Sequence, residues 1–354
     1  MIRRMTISLF MAILTMGPLS IAGAYAADKP VVRLAVLSDD LTSFCLPLRI
    51  AVQGDHPLYA FAKDDIDLRT IHLSVSQTPV AVGTGDVDMG DCAGISVVTQ
   101  AWNKGARDVT ILAAGAVKPA YVIIGGPKFK KMQDLKGATI ASPGPQSTAA
   151  EAVDLILKRG AKLEAGKEYT FVAAGTGAAR VAALSAGRIG AISTYPPYNY
   201  ELIDKGFNQL GDELNFVPEY VSGCVIGNRK WAAAHPEVVV RMLKTVIQIA
   251  QWLKNPANKD AAIDWFAEHY KLGRGKLGKA YATRLYHDTV TEQRVAFDGY
   301  ASEAALRANL DIMHERGYLK KEDYPPLDKM VDYSYLNRAL KELGMPTVKE
   351  FRSN

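Results

Sequence analysis

The chain has 354 residues with a formal net charge of +5. It has no run of five like charges, so the composition does not favour nucleic-acid binding, which usually needs a clustered basic face. At this length two lobes are more plausible than one hydrophobic core. The three cysteines, Cys45, Cys92 and Cys224, cannot form a disulfide framework; at most one bridge can form, and we expect none.

The N-terminal 26 residues have the pattern of a secretory signal peptide. Arg3 and Arg4 precede an apolar run of about 15 residues, which is short for a membrane span, and Ala24-Tyr25-Ala26 supplies an A-x-A cleavage site. Cleavage there would remove two arginines and no acidic residue, lowering the formal charge from +5 to +3. We therefore expect a soluble periplasmic protein whose mature chain begins at Ala27.

Strands and helices alternate through the first third of the chain. The predicted elements are a strand at 31–37, a helix at about 46–63, a strand at 66–73, a helix opened by Thr78-Pro79, a strand at 87–90, a helix at about 95–104 and the strand "VTILAA". Such alternation predicts a mostly parallel sheet covered by helices on both faces.

The same alternation starts again further along the chain. The extended run "AYVIIGG" is followed by the strand "LKGATIAS", a helix at 148–159, the strand "YTFVAA", the helix "AARVAALSAG" and the strand "IGAIST". "VSGCVIGNRKW" is extended again, and from Pro236 onward the pattern is mainly helical. The fold class is therefore α/β, with a second sheet in the middle of the chain.

The stretch "ATIASPGPQSTAAEAVDLILKRG", residues 138–160, joins a strand to a helix through a loop of small residues. Thr148 with Glu151 three residues later is a capping-box pattern, so Thr148 is predicted to cap the helix. Ser147 then has no visible structural duty, and Gly160 is expected to supply the left-handed cap at the other end. Backbone amides at such a helix start suit an anion.

Two stretches share one arrangement of helix, glycine, short apolar strand and small or hydroxyl residues. They are "VAVGTGDVDMGDCAG" and "VAALSAGRIGAISTYP". Each predicts a helix-strand unit that ends in a loop. In open parallel sheets ligands bind in the crevice outside the carboxyl ends of the strands.

Together with "MQDLKGATIASPGPQS" and "AGTGAARVAALSAGRIGAISTYPP", these motifs resemble the solute-binding proteins of nitrate/sulfonate/taurine-type ABC importers. The resemblance implies the two-lobed type II periplasmic binding protein fold, each lobe a mostly parallel sheet flanked by helices, with two hinge crossovers at about 120–125 and 221–228. The implied segments are a signal peptide at 1–26, the first part of lobe 1 at 27–119, lobe 2 at 120–220, and the second part of lobe 1 with the C-terminal helices at 221–354.

The resemblance also implies that loops at strand ends in both lobes contact the ligand. The candidate ligand-binding residues are Ser38, Thr42, Cys92, Ala93 and Gly94 in the first lobe, and Gln146, Ser147, Thr148, Thr194 and Tyr195 in the second. Tyr195 begins an aromatic turn that can wall a cleft. Cys92 is expected to be a small buried or cleft-edge residue rather than a nucleophile, and Asp86 and Asp88 to face solvent or cap neighbouring elements.

The common catalytic motifs are missing from the sequence. It contains no G-x-S-x-G, H-E-x-x-H, C-x-x-C or G-x-x-x-x-G-K-[ST], and its six histidines have no ligand spacing. We expect no enzyme, cofactor or metal, but a monomer that delivers a small, anionic solute to the membrane subunits of an ABC importer. The alternatives are a ligand sensor for a membrane receptor, and an enzyme similar to pyrimidine-precursor synthases, whose cysteine- and histidine-rich motif is missing here.

Overall fold

The computed structural model describes residues 29–351 except residues 38–44, 55, 57, 58, 146, 218, 273 and 274. The predicted signal peptide lies outside the described residues. So do three of the candidate ligand-binding residues, Ser38, Thr42 and Gln146.

Two five-stranded sheets organise the described chain. The strands of the first sheet are β1 (Val31–Val36), β2 (Asp67–His72), β3 (Met89–Ala93), β4 (Val109–Ala116) and β10 (Gly223–Asn228). Those of the second are β5 (Val122–Gly125), β6 (Thr139–Ser142), β7 (Thr170–Ala173), β8 (Ala191–Thr194) and β9 (Asn208–Asp212). The strand orders are β2-β1-β3-β10-β4 and β7-β6-β8-β5-β9. We call each sheet with its flanking helices the first and the second lobe.

Each sheet is mixed, with one strand antiparallel to its neighbours. In the first, β1 is parallel to β2 and β3, while β10 is antiparallel to β3 and β4. In the second, β6 is parallel to β7 and β8, while β5 is antiparallel to β8 and β9. The reversed strands, β5 and β10, are the first strands after the chain crosses between lobes. They therefore enter their sheets from the edge that faces the other lobe.

The chain crosses between the lobes at residues 117–121 and 213–222. The segments predicted as hinges, about 120–125 and 221–228, are instead largely strands β5 and β10 that follow each crossing. The two crossings lie side by side, since Ser222 Oγ donates to the Lys118 carbonyl at 2.8 Å and Glu213 N donates to the Tyr121 carbonyl at 3.0 Å. Paired crossings of this kind can act as a hinge.

The helices cover both faces of the sheets. They are α1 (Leu46–Gln53), α2 (Gln77–Thr84), α3 (Ile95–Asn103), α4 (Thr148–Ala161), α5 (Gly177–Ser185), α6 (Tyr198–Asp204), α7 (Arg229–Ala234), α8 (Pro236–Lys254), α9 (Lys259–His269), α10 (Lys279–Tyr286), α11 (Glu303–Glu315), α12 (Leu327–Met330) and α13 (Ser334–Glu342); the short strands β11 (Lys271–Leu272) and β12 (Gly275–Lys276) pair between α9 and α10. None of the described helices combines the length and the apolar character needed to cross a membrane. The two sheets with flanking helices confirm the predicted fold.

The amphipathic pattern of α8 explains why the C-terminal part of the chain packs on the first lobe. Val239, Met242, Leu243 and Ile247 recur at helical spacing and are fully buried in the first-lobe core. Each such side chain contributes about 1.5–3 kcal/mol when it leaves water. The second lobe has its own smaller cores, built around residues such as Ile140.

Two predicted helix ends differ from the structure. The first helix stops at Gln53 rather than near residue 63, because Gly54 takes a left-handed conformation with φ 77°. Helix α4 continues past Gly160 to Ala161, and Lys162 takes the left-handed position with φ 59°. Gly160 is instead needed for close packing, since a Cβ there would lie 2.6 Å from the Met132 side chain.

Candidate functional site

The two lobes meet where the carboxyl end of β3 faces the start of α4. Gly94 follows β3, and Thr148 is the first residue of α4. A Cβ built on Gly94 would lie only 2.3 Å from Thr148 Oγ1. The structure therefore brings together Cys92, Ala93 and Gly94 from one lobe with Ser147 and Thr148 from the other, in a closed arrangement.

The helix cap of α4 is Ser147, and the prediction that Thr148 caps it through a capping box was wrong. Ser147 Oγ accepts the Ala150 N–H at 3.2 Å and donates to the Gly144 carbonyl at 2.7 Å. Thr148 is buried, and its hydroxyl has no hydrogen-bond partner among the described residues. Glu151 turns away from the cap toward the first lobe. The helix therefore begins at Thr148, one residue earlier than a Thr148 cap would imply. The Thr148 side chain points toward Gly94 of the first lobe.

These exchanged roles predict different effects of two substitutions on the free energy of unfolding. Ser147→Ala should cost about 1 kcal/mol, the usual loss for a missing N-cap. Thr148→Val should be nearly neutral, because it replaces an unpaired hydroxyl by a group of the same shape. Urea denaturation of both variants beside the wild type measures this. A larger loss for Thr148→Val would contradict the assignment of Ser147 as the cap.

On one side of the cleft, Glu151 of α4 joins the lobes. Its carboxylate accepts a short hydrogen bond from the Ser96 hydroxyl of α3, and Arg316 Nη1 lies 3.6 Å from Glu151 Oε1. Arg316, which follows α11, also forms an ion pair with Asp154 at 2.5 Å. Both Glu151 and Arg316 are nearly inaccessible to solvent. These contacts hold α4 of the second lobe against α3 and α11 of the first.

A second set of contacts closes the other side of the cleft. Tyr200 of α6 donates to Asp288 at 2.6 Å, and Asp204 at the end of α6 accepts from Tyr281 at 2.6 Å and lies 3.4 Å from Arg284. The Arg284 guanidinium also lies 4.1 Å from the centre of the Tyr200 ring. The lobes are therefore joined by two separate sets of polar contacts.

Two buried carboxyl groups near the crossings have raised pKa values. Burial raises the pKa of Glu213 to about 8, while the Tyr121 N–H, which Glu213 accepts at 3.3 Å, opposes the rise. Burial also raises the pKa of Glu151 to about 7, against the opposing charge of Arg316. Both groups therefore tend to be protonated in the folded chain at a pH where they are ionised in the unfolded chain.

These raised pKa values give stability a definite pH dependence. Between about pH 4.5, the ordinary pKa, and pH 7 to 8, the folded state holds more protons than the unfolded state. The free energy of unfolding should therefore fall as pH rises, by at most about 1.4 kcal/mol per pH unit for each group. Glu213→Gln should flatten this slope, and urea denaturation from pH 5 to pH 8 measures it. Equal slopes in variant and wild type would refute the role of Glu213.

The first-lobe wall of the cleft rests on a buried ion pair. Arg49 Nη1 of α1 lies 2.5 Å from Asp91 Oδ2 of β3, with side-chain exposures of 4% and 1%. Next to Asp91, Cys92 takes a left-handed conformation with φ 47°, and Cys224 Sγ donates to the Ala93 carbonyl at 2.9 Å. The positions of Cys92 and Ala93 are thus held by the neighbouring Arg49–Asp91 pair and by the Cys224 hydrogen bond.

The three cysteines are buried and are not paired as disulfides. Burial raises the pKa of the Cys92 thiol well above its ordinary value, which keeps it in the poorly nucleophilic thiol form. This agrees with the expectation that Cys92 is not a nucleophile. Of the two places expected for Asp88, exposure to solvent was wrong: it is buried, its carboxylate pairs with the Arg33 side chain at 2.6 Å, and it accepts the Arg33 backbone N–H of the neighbouring strand at 2.7 Å.

The second-lobe wall consists of hydroxyl and tyrosine side chains at the end of β8. Ser193 and Thr194 are fully buried, and neither hydroxyl has a hydrogen-bond partner among the described residues. Tyr195 makes edge-to-face contacts with Tyr121 at 5.9 Å and with Tyr198 at 5.5 Å between ring centres. The predicted residues Thr194 and Tyr195 therefore lie in one aromatic and hydroxyl wall.

Sequence reasoning missed several residues of this region. Tyr270, which follows α9 in the first lobe, is buried and interacts electrostatically with Cys92 of the first lobe and Tyr195 of the second. Arg180 of α5 is buried beside the tyrosine wall. The usable signal for Arg180 was its charge within the otherwise small and apolar segment "GAARVAALS". Tyr270 has no comparable local signal.

Among the described residues, no group of three or more histidine, cysteine, aspartate or glutamate side chains could hold a metal ion. The described groups around the cleft are hydroxyls, tyrosines, backbone amides and the buried guanidinium groups of Arg49 and Arg180. Such a set can bind a small polar molecule in an enclosed space.

A sequence model described as the NMT1-like family matches residues 60–267 of the chain. A comparison with curated protein sequences gives no match.

Solved structures share the fold at low sequence identity. A protein from Bordetella bronchiseptica RB50 is 20% identical, with a TM-score of 0.71 over 90% of this chain and 99% of that one. The alkanesulfonate-binding protein SsuA from Xanthomonas axonopodis pv. citri, bound to MOPS, is 21% identical, with a TM-score of 0.62 over 84% and 96%. The periplasmic nitrate-binding protein NrtA from Synechocystis PCC 6803 is 13% identical, with a TM-score of 0.66 over 90% of each chain.

Proposed function

Because the chain belongs to the NMT1-like family, we propose that it is an extracytoplasmic solute-binding protein that captures a small anionic solute by lobe closure and delivers it to an ABC importer. The proteins of similar structure include alkanesulfonate-binding and nitrate-binding proteins. The sequence motifs also resemble those of solute-binding proteins of ABC importers. Binding and release, without chemical change of the solute, would be the activity.

The observation that carries the proposal is the contact between lobes across the cleft. Gly94 and Thr148 meet between the lobes, and the hydroxyls of Thr148, Ser193 and Thr194 are buried without hydrogen-bond partners among the described residues. Buried hydroxyls without partners are costly, which favours a bound molecule that supplies the missing hydrogen bonds. A ligand that makes these bonds only in the closed form would shift the lobes toward closure.

The proposal assigns the remaining sequence-based candidates to the same cleft. Ser38, Thr42 and Gln146 are proposed to supply further contacts with the solute. The lobe division at 27–119, 120–220 and 221–354 would follow the two crossings. The protein would act as a monomer in the periplasm and present its closed form to the importer's membrane subunits.

Processing at the predicted cleavage site is a separate expectation. If Ala24-Tyr25-Ala26 directs cleavage, the secreted protein should begin at Ala27. Intact-mass measurement of periplasmic material tests this, and a soluble product that keeps Met1 would contradict it.

The proposed function is tested by native mass spectrometry of protein purified without denaturation. We expect a co-purified small molecule at one per chain, released unchanged on denaturation and rebound by refolded protein. Chemical conversion of that molecule by the protein would favour the enzyme alternative and overturn the proposal. Capture of the closed protein by a membrane receptor rather than by importer subunits would favour the sensor alternative.

A further inference from the structure

Arg180 is a buried cation whose charge is not balanced by a carboxylate among the described residues. Its side chain is 2% exposed. Nε donates to the Ser193 carbonyl at 3.0 Å and Nη1 to the Gly175 carbonyl at 2.7 Å. By contrast, the buried guanidinium groups of Arg49 and Arg316 each form ion pairs with carboxylates.

The position of Arg180 places this charge at the binding edge of the second lobe. Gly175 follows β7 and Ser193 belongs to β8, and the carboxyl ends of these strands point to the crevice where open sheets bind ligands. Those two carbonyls use two of the five guanidinium N–H groups, and no described carboxylate forms an ion pair with Arg180. A buried, unpaired charge is costly, so the site favours an anion.

The surroundings of Arg180 indicate what the anion is attached to. Tyr195, Tyr121 and Tyr198 lie within electrostatic reach of the guanidinium, and burial lowers its pKa. Their rings contact one another edge to face, and the Tyr198 ring covers the start of α5, 3.2 Å from a Cβ built on Gly177. Aromatic side chains arranged in this way pack well against another flat ring.

We propose that Arg180 binds the anionic group of the solute while Tyr121, Tyr195 and Tyr198 pack against its flat apolar part. The preferred ligand class is then an aromatic monoanion, with a carboxylate or a sulfonate attached to a ring. Thr194, fully buried and without a described partner, lies on the face of β8 that packs against α5, so its hydroxyl is the one available beside the anion. This inference rests on the proposed function and specifies its ligand.

The test is calorimetric titration with defined probes. Benzoate and benzenesulfonate combine ring and charge and distinguish the two anionic groups; acetate and nitrate lack the ring, and benzamide lacks the charge. We expect the aromatic anions to bind at least about 10-fold more tightly than the other probes, since each half of the ligand has its own partners. Equal or tighter binding of acetate, nitrate or benzamide would overturn the inference.

Substitutions test whether Arg180 and the tyrosines contribute to the affinity for aromatic anions. Arg180→Gln should weaken binding of the better aromatic probe at least about 30-fold, because it removes a buried charged partner. The matched control, Arg188→Gln, alters an exposed arginine in the turn that follows α5 and should leave affinity unchanged. If Arg180→Gln does not fold by near-ultraviolet circular dichroism, Tyr195→Ala replaces it and should lower the preference for ring-bearing anions. Unchanged affinity in the folded variant would contradict the proposal.

Failure of this inference can be separated from failure of the proposed function. If no probe binds, the co-purified molecule detected by native mass spectrometry decides. An aromatic anion there supports the assignment, whereas a neutral, cationic or ring-free solute overturns it and leaves the solute-binding function intact. No bound solute and no probe binding would refute both.

Discussion

Asp91→Asn should lower the free energy of unfolding by about 3–5 kcal/mol, the typical loss when one partner of a buried ion pair is removed. The substitution keeps the shape of the side chain but leaves the Arg49 guanidinium, 4% exposed, beside a neutral amide. Asp91 lies in β3 directly before the cleft residues Cys92 and Ala93, so the first-lobe wall should loosen with it. Urea denaturation at neutral pH measures the loss.

Two controls separate the buried pair from a general effect of charge removal. Glu201→Gln breaks the exposed pair between Glu201 and Lys205 and should cost less than about 1 kcal/mol. Arg49→Met in the Asp91→Asn background removes the stranded charge and should recover part of the loss. If Asp91→Asn cost no more than Glu201→Gln, the ion pair would not support the wall.

The second large effect concerns closure of the lobes. Gly94→Ala should weaken solute binding by about 10- to 100-fold, because the added Cβ would lie 2.3 Å from Thr148 Oγ1 and hinder the closed form. Overpacking of this kind costs roughly 1–3 kcal/mol, and affinity falls with the population of the closed form. The backbone at Gly94, with φ −70°, accepts alanine, so each lobe should stay folded.

A second substitution tests this reason directly. In Gly94→Ala with Thr148→Ala, the offending oxygen is gone and the nearest Thr148 atom is Cβ at 3.4 Å, an ordinary contact. Calorimetric titration with the co-purified solute should therefore show the double variant binding as tightly as Thr148→Ala alone, since the clash is gone in both. Weaker binding in the double variant than in Thr148→Ala alone would contradict the steric explanation.

Much of the fold could be predicted because its signals are local. The alternation of apolar strands and amphipathic helices predicted both sheets, and the motifs at 132–147 and 174–197 carry the family resemblance. The hinge assignment was displaced by several residues. The extended residues after each crossing pair as strands β5 and β10, and pairing partners far along the chain are not visible locally.

The error at the start of α4 has a physical cause. Ser147 and Thr148 are adjacent hydroxyl residues, and both suit an N-cap. The presence of Glu151 favoured Thr148, but that carboxylate bonds to Ser96 and Tyr220 instead. Glu151, which would have completed the capping box, instead makes a tertiary contact between the lobes. The Thr148 hydroxyl therefore does not cap the helix.

The residues proposed to recognise the ligand were harder to predict from the sequence than the strands and helices that carry them. Arg180 becomes informative only when its burial and the absence of a nearby carboxylate are known, and both depend on packing of α5 against β8. Tyr121 and Tyr270 reach the same region from a crossing and from the C-terminal helices. Because these residues lie far apart in the sequence, their proximity in the fold could not be predicted from local patterns.

Closure of two lobes around a solute is the central claim, and small-angle X-ray scattering tests it most directly. The wild-type protein is compared with its co-purified solute bound, after removal of the solute by unfolding and refolding, and after the solute is added back. We expect a larger radius of gyration without solute and a return to the smaller value at saturation. A radius of gyration that is the same in all three states would contradict hinge closure.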